Sequence, residues 1–292
     1  MNNKEAMEEL FMKIAIVTDS TADLPQDLVE EFNIEVIPLQ VIIDGCEFRD
    51  GLDLSRTEFY ERITAPGSHL PSTSQPSPGV FIETYNRLLE EADAIISIHI
   101  SNKLSGTVQT AQLASETFPG KIRVIDSLST SMGLGSLVLE AARGLKRGMN
   151  LDQVVEMVHS LREKISFFVL LDTLKFVRHG GRVNSVQLFL GSVLKIKPLL
   201  RIRHGEVEAA GKARNKKEAV TLLIEKFKEQ LGTETKSIIS VIHTKAETEA
   251  LKLKAIIEET FKNAEVILNQ AGPTIGSHAG PGALALISLP IN

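Results

Sequence analysis

Apolar residues run along the chain in two rhythms. Short unbroken blocks such as "KIAIVTD" (13–19), "AIISIHI" (94–100) and "KIRVID" (121–126) read as strands buried on both faces, which need not alternate. Between them lie longer stretches with apolar positions three and four apart, the period of a helix with one buried face. Strand followed by helix, repeated, predicts a largely parallel sheet with helices on both sides. Helices are expected from near Pro25, from Pro78 to about Ala92 with Ser77 as cap, after "SNKLSG" (101–106) to Phe118, and twice more after residue 130, the second opened by Asn150. Proline suits a first helical turn, and Ser or Asn suits a cap. "SRTE" (55–58) reads as a capping box, and Asp44-Gly45 between β-branched runs as a hairpin turn.

From about residue 165 the texture changes. "SFFVLLD" (166–172) and a short amphipathic segment ending at Gly180-Gly181 precede "LKIKPLLRIRHGEVEAAGKARN" (194–215), a hairpin turning at Gly205. A helix from Asn215 to about Gln230, strand "KSIISVIH" (236–243), a helix over 246–260, strand "AEVIL" (264–268) and a glycine-rich end follow. The expected fold class is α/β in two domains: 12–165, mainly a parallel sheet with helices on both faces, and 166–292, α+β. A cleft between them is the default ligand site. Residues 1–11 read as a disordered or helical extension, with Met12 an alternative start.

Composition narrows the function. A net charge of −5 over 292 residues argues against general nucleic-acid binding, so any basic patch is local. With 5% aromatics and no tryptophan, the core is aliphatic and can line an aliphatic cavity. The single Cys46 allows no internal disulfide and no thiolate metal cluster, which fits a reducing compartment, the cytoplasm by default. Apolar runs such as "FFVLL" (167–171) fall far short of the roughly 20 residues that cross a bilayer. The histidines show no ligand spacing, so no metal is expected.

Four loops share a character: "STSQPS" (72–77), "NKLSGT" (102–107), "DSLSTSMG" (126–133) and "GPTIGSHAGPG" (272–282) are rich in hydroxyls or glycine and poor in carboxylates. Three of them follow strands of the predicted sheets, where open α/β folds bind ligands. Ser105 and Gly106 precede a helix, whose first amides favour an anion. His278 lies among glycines that let a backbone approach a ligand. A basic cluster, Arg178, Arg182, Lys195, Lys197, Arg201, Arg203, Lys212, Arg214, Lys216 and Lys217, reads either as a charge-protected edge hairpin or as a docking face for an acidic or phosphate-bearing partner. No phosphate loop is present, and "GLG" (133–135) is too short for a dinucleotide fingerprint. A Ser–His acyl-ester hydrolase built on Ser105 and His278, with Asp19 or Asp126, is the enzymatic alternative. A small-metabolite sensor is a third.

In order along the chain, "VTDSTADLP" (17–25), "STSQPS", "LSGT" (104–107), "VIDS" (124–127), "GGR" (180–182), "LKIKPLL" (194–200), "KARNKK" (212–217) and "GSHAGPGAL" (276–284) resemble the DegV family of bacterial fatty-acid-binding proteins. The resemblance implies a two-domain protein that encloses one long-chain fatty acid, such as palmitate, between its domains and has no catalysis or cofactor of its own. It implies that Thr73 and Ser105 hold the carboxylate, with His278 nearby; Ser74, which either binds the head group or braces the loop, and Gly106 before the helix are further candidate lipid contacts. It also implies a fatty acid kinase as partner, which converts the presented acid to acyl phosphate for phospholipid synthesis, and Arg182 and Arg214 match positions linked to that partnership. Asn102, Lys103 and His179 depart from the commonest residues of the family at their positions.

Overall fold

The computed structural model describes residues 12–182 and 196–291. The expected extension 1–11 and the start of the hairpin segment, including Lys195, lie outside the described residues.

Four parallel strands in the order β2 (Glu35–Ile37), β1 (Ile14–Asp19), β6 (Ala94–His99) and β7 (Ile122–Asp126) form the sheet that the apolar blocks predict. Neighbouring residues of a strand face opposite sides, and both sides are apolar here. Val17 and Ile95 pack with Phe81, Tyr85 and Ala111, from helices α3 (Pro78–Leu88) and α4 (Thr107–Ser115). Ile16, Ile96, Ile98 and Ile125 pack instead on α5 (Ser131–Lys146) and α6 (Leu151–Arg162). Helix α5 is buried almost all round, as a helix with sheets on two sides must be. Gly135 makes this close fit possible, because a Cβ there would lie 2.6 Å from the carbonyl oxygen of Ala22.

The second sheet runs β10 (Glu206–Ala213), β9 (Lys197–Arg203), β8 (Ser166–Leu170), β13 (Leu284–Pro290), β11 (Ser237–His243) and β12 (Ala264–Gln270); only β11 and β12 pair in parallel. Phe167, Ile242, Ala285 and Ile287 join the cluster around α5 and α6. Phe168, Leu170, Ile239 and Leu286 face the other way, onto Leu223, Phe227, Leu253 and Ile257 of α8 (Lys216–Leu231) and α9 (Glu247–Thr260). The core is thus layered helix, sheet, helix, sheet, helix, and one continuous apolar cluster spans its middle.

A third, small sheet, β4 (Cys46–Arg49), β3 (Gln40–Ile43) and β5 (Ser72–Ser74), packs with Phe59, Tyr60 and Ile63 of α2 (Arg56–Thr64) and Phe176 of α7 (Lys175–His179). The Asp44-Gly45 turn between β3 and β4 has both residues at positive φ, as expected. The remaining helices are the short α1 (Gln26–Glu31) and α10 (Pro273–Ala279).

Several expectations are corrected. Part of "STSQPS" is not loop but β5, paired antiparallel with β3. Helix α3 ends at Leu88, short of Ala92, and Ser77 stands at its cap position without a side-chain cap bond; helix α4 ends at Ser115 rather than Phe118. The capping box at Ser55 is half made: Ser55 Oγ accepts from the Glu58 amide, while the Glu58 carboxylate pairs with Arg62. Asn150 and Gln153 form the reciprocal box in full. The glycine-rich end is not a loop: it holds α10 and leads into β13. Gly276 is tolerated inside α10 because a Cβ there would lie 2.6 Å from Phe59 and 2.7 Å from the Tyr60 hydroxyl; close packing with α2 overrides propensity.

Among the described residues no helix is long and apolar enough to cross a membrane, and no group of three or more His, Cys, Asp or Glu side chains could hold a metal.

Candidate functional site

A cavity of about 380 Å³ lies between the loops of the parallel sheet and the face of the second sheet, within the size range of small-molecule sites. One wall is apolar by strand alternation. Phe167 and Val169 of β8 and Leu171 just beyond it line the cavity, whereas Phe168 and Leu170 point into the outer core. Leu200 and Ile202 of β9, Val207 of β10, and Leu39, Ile100 and Ile275 add to the apolar lining. Polar groups gather elsewhere on the lining: Thr73, Ser74, Gln75, Ser105, Gly106, Arg182 and His278.

Strand β5 holds Thr73 opposite Val41, and Thr73 Oγ1 lies 3.0 Å from His278 Nε2. His278 is largely buried on α10, and its Nδ1 has no hydrogen-bond partner. Burial, with the charge of Arg182 and His179 adding to it, lowers its pKa to about 4, so the ring is neutral at pH 7. Gly180 lies directly behind it: a Cβ there would be 2.1 Å from His278 Nδ1.

Ser105 Oγ lies 2.9 Å from Thr107 Oγ1, and Gly106 caps α4. Gln75 donates to Thr110 Oγ1 at 2.8 Å, and a Cβ on Gly106 would be 2.0 Å from Gln75 Oε1. Gln75 therefore braces β5 against the start of α4. Arg182 donates to the carbonyl oxygens of Leu104 and Gly180, which holds it beside the polar groups. Arg214 is exposed just past β10 and is not among the lining residues.

The opening motif has a different task. Asp23 accepts from the Gly272 amide at 2.7 Å and from Ser131 Oγ, and Asp50 accepts from the Thr274 amide at 3.1 Å. Two carboxylates thus meet the N-terminus of the helix that carries His278, where the free amides favour negative charge. Tyr60 Oη donates to the carbonyl of Ala271, and Arg56 to Asn269 Oδ1. Burial raises Asp23 to about 6 against the opposing pull of Arg56 and its hydrogen bonds, and raises Asp50 also.

The two carboxylates that the hydrolase alternative draws on are engaged elsewhere. Asp19 is fully buried and bonded to a different histidine, His99, at 3.0 Å. Asp126 accepts from the amides of Asn102 and Leu128. His278 therefore has no carboxylate to orient its ring among the described residues, and a Ser–His pair lacks the third group that such catalysis uses.

The model of the DegV family, described as "Uncharacterised protein, DegV family", matches residues 13–290. The chain belongs to the DegV family. A DegV domain-containing protein of Caldanaerobacter subterraneus subsp. tengcongensis is 35% identical over 272 residues, 93% of this chain and 96% of that one. Among solved structures, a DegV family protein of Thermus thermophilus, described by its fatty acid binding, superposes with a TM-score of 0.91 at 37% identity, covering 96% of this chain and 100% of its own. DegV of Bacillus subtilis, described as a fatty acid binding protein, gives 0.89 at 31% identity over 96% and 100%.

Sequence reasoning left several lining residues of this DegV chain unnamed: Leu39, Ile100, Phe167, Val169, Leu200, Ile202, Thr130 and Thr274. The unbroken run "SFFVLL" signals a strand apolar on both faces. Only the packing shows which face is core and which is cavity.

Proposed function

We propose that this protein binds one long-chain fatty acid, such as palmitate, with its tail along the apolar wall and its carboxylate at Thr73 and Ser105. The observation that carries this reading is a set of hydroxyls, with a neutral, largely buried imidazole bonded to Thr73, on the lining of a cavity whose other wall is apolar. The DegV relatives of known structure described as fatty acid binding support it. Burying a tail contributes about 0.8 kcal/mol per methylene, so roughly 16 carbons supply on the order of 10 kcal/mol before ordering costs. The carboxylate must regain hydrogen bonds on leaving water. A neutral His278 carrying its proton on Nε2 donates to Thr73 Oγ1, which leaves the threonine hydrogen free to donate onward to the acid. Ser105, Ser74 and the Gly106 amide supply further neutral donors.

Hydroxyls hold a carboxylate without neutralising it, and the bound acid stays a nucleophile. In this reading the protein is a carrier that catalyses nothing itself and presents the acid to a fatty acid kinase, with the exposed Arg182 and Arg214 meeting the partner. Mass spectrometry of lipid extracted from gently purified protein tests the first part. One acyl chain per protein is expected; recovery of none would sink the assignment. For the second part, Arg214→Ala is expected to bind fatty acid as tightly as the parent but to yield acyl phosphate poorly with a cognate kinase. Full turnover by that variant would remove Arg214 from the partnership.

A further inference from the structure

A second cavity, about 390 Å³, lies behind the lipid cavity. Consecutive residues form the partition: Thr130 lines the first cavity and Ser129 the second, while Ile202 lines both. The second cavity is polar, lined by Arg162, Glu163, Arg201, Arg203 and His204 together with Ser129. Three guanidinium groups thus share one lining with a single carboxylate.

These cations are incompletely partnered. Arg162 Nη1 donates to the carbonyl of Asp126 at 2.8 Å, but its Nε is buried and has no hydrogen-bond partner. Ser129 Oγ is likewise buried without a partner. Arg201 is tied to Glu208 through Nε and Nη2, at 2.8 and 2.7 Å. The side chain of Arg203, exposed at the end of β9 beside the exposed His204, makes no hydrogen bond or ion pair among the described residues. Glu163 is the other carboxylate of the site, with oxygens 3.6 Å from Arg162 Nε and 3.9 Å from His204 Nδ1. Both distances are beyond a hydrogen bond, so it offsets charge without satisfying either donor.

A buried guanidinium N–H without an acceptor is costly, and planar forks of this kind match phosphate oxygens. Several donors converging from α6, the β9–β10 turn and the loop before α5 suit a tetrahedral anion better than a planar carboxylate. The cavity is also larger than one phosphate group needs. We propose that this second cavity binds a phosphate monoester, its phosphate bonded by Arg162 and Arg203 with His204 beside it, and that Glu163 is the group it must compete with. The site stands apart from Arg182, Arg214 and the residues assigned to the fatty acid head group.

Calorimetric titration of the full chain at low salt tests this with glycerol 3-phosphate and inorganic phosphate, and flotation with vesicles containing phosphatidic acid tests a lipid source of the same group. Saturable binding of glycerol 3-phosphate is expected, and vesicle binding without it would assign the phosphate to a lipid. The double variant Arg203→Gln/His204→Asn should weaken binding about tenfold or more; Asn is chosen because position 204 has φ of 49°, a conformation Asn tolerates. Glu163→Gln should tighten binding several-fold, a change of sign that mere destabilisation does not produce. No saturable binding of any of the three probes at millimolar concentration would overturn the proposal. So would binding that survives the double variant but is lost in Arg182→Ala, since the anion would then occupy the lipid cavity.

Discussion

Two histidines of this fold stand in contrasting states. His99, at the end of a central strand of the parallel sheet, is fully enclosed and satisfied on both ring nitrogens: Asp19 at 3.0 Å on one side and Ser97 Oγ at 2.6 Å on the other, with Tyr85 Oη closing the chain at 2.8 Å. His278, on a short helix beside the cavity, has Thr73 on one nitrogen and nothing on the other. Ser97, His99 and Asp19 have the composition of a catalytic trio, yet no substrate could reach them. A complete buried network fixes structure, and an incomplete one beside a cavity is available for a ligand.

The largest effect expected from this contrast is His99→Leu, which leaves Asp19 and Ser97 facing an apolar group. Denaturant unfolding should show a loss of about 3 kcal/mol or more, with fatty-acid affinity of the remaining folded protein unchanged. A small loss would mean that the network relaxes and that burial alone holds this region.

Acid sharpens the comparison next. His278 has a folded pKa of about 4, below its unfolded value of 6.5, so its contribution to stability is full above pH 6.5 and is lost as pH falls toward 4. Asp23 is shifted the other way, from 3.8 to about 6, so the stability it contributes is full below pH 3.8 and is lost as pH rises through 6. The two oppose each other between pH 4 and 6. In His278→Asn the first contribution is gone, and stability between pH 6.5 and 4 should fall by roughly 3 kcal/mol less than in the parent. Parallel pH profiles would show that the ring is not held neutral by burial.

Smaller effects separate the ligand groups. Thr73→Val and Ser105→Ala should each weaken fatty-acid binding by about 1–3 kcal/mol, roughly 5- to 150-fold in Kd, as read by displacement of a fluorescent acid. Unchanged affinity would remove that hydroxyl from the site. Gly180→Ala alters no polar group, but its methyl would occupy the space of His278 Nδ1. A loss of about tenfold is expected, and wild-type binding would show that the ring can shift without consequence.

Much of this was legible in the sequence, for identifiable reasons. The strands of the parallel sheet are continuous apolar blocks, and Asn150 and Asn215 announce their helices through caps that form as expected. Thr73, Ser74, Ser105, Gly106 and His278, named from separate segments, line one cavity. Strand β5 was hidden because three residues are too few to show alternation, and its pairing with β3 is a tertiary fact. Helix α10 was hidden because its glycines lower helix propensity, while the reason for Gly276 lies in Phe59 and Tyr60, more than 200 positions earlier. The division of β8 into a core face and a cavity face was equally out of reach, since both faces are apolar.

Strand β13 has a consequence for when this protein can work. It lies between β8 and β11 in the second sheet, yet among the described strands it is the last to be synthesised. Until it leaves the ribosome, β8 and β11 have no partner between them, and α10 with its histidine has only just emerged. A nascent chain therefore exposes the apolar strip of β8 without being able to enclose a ligand. The cavity wall is therefore completed only when β13 has paired, and until then the strip is a natural target for chaperones.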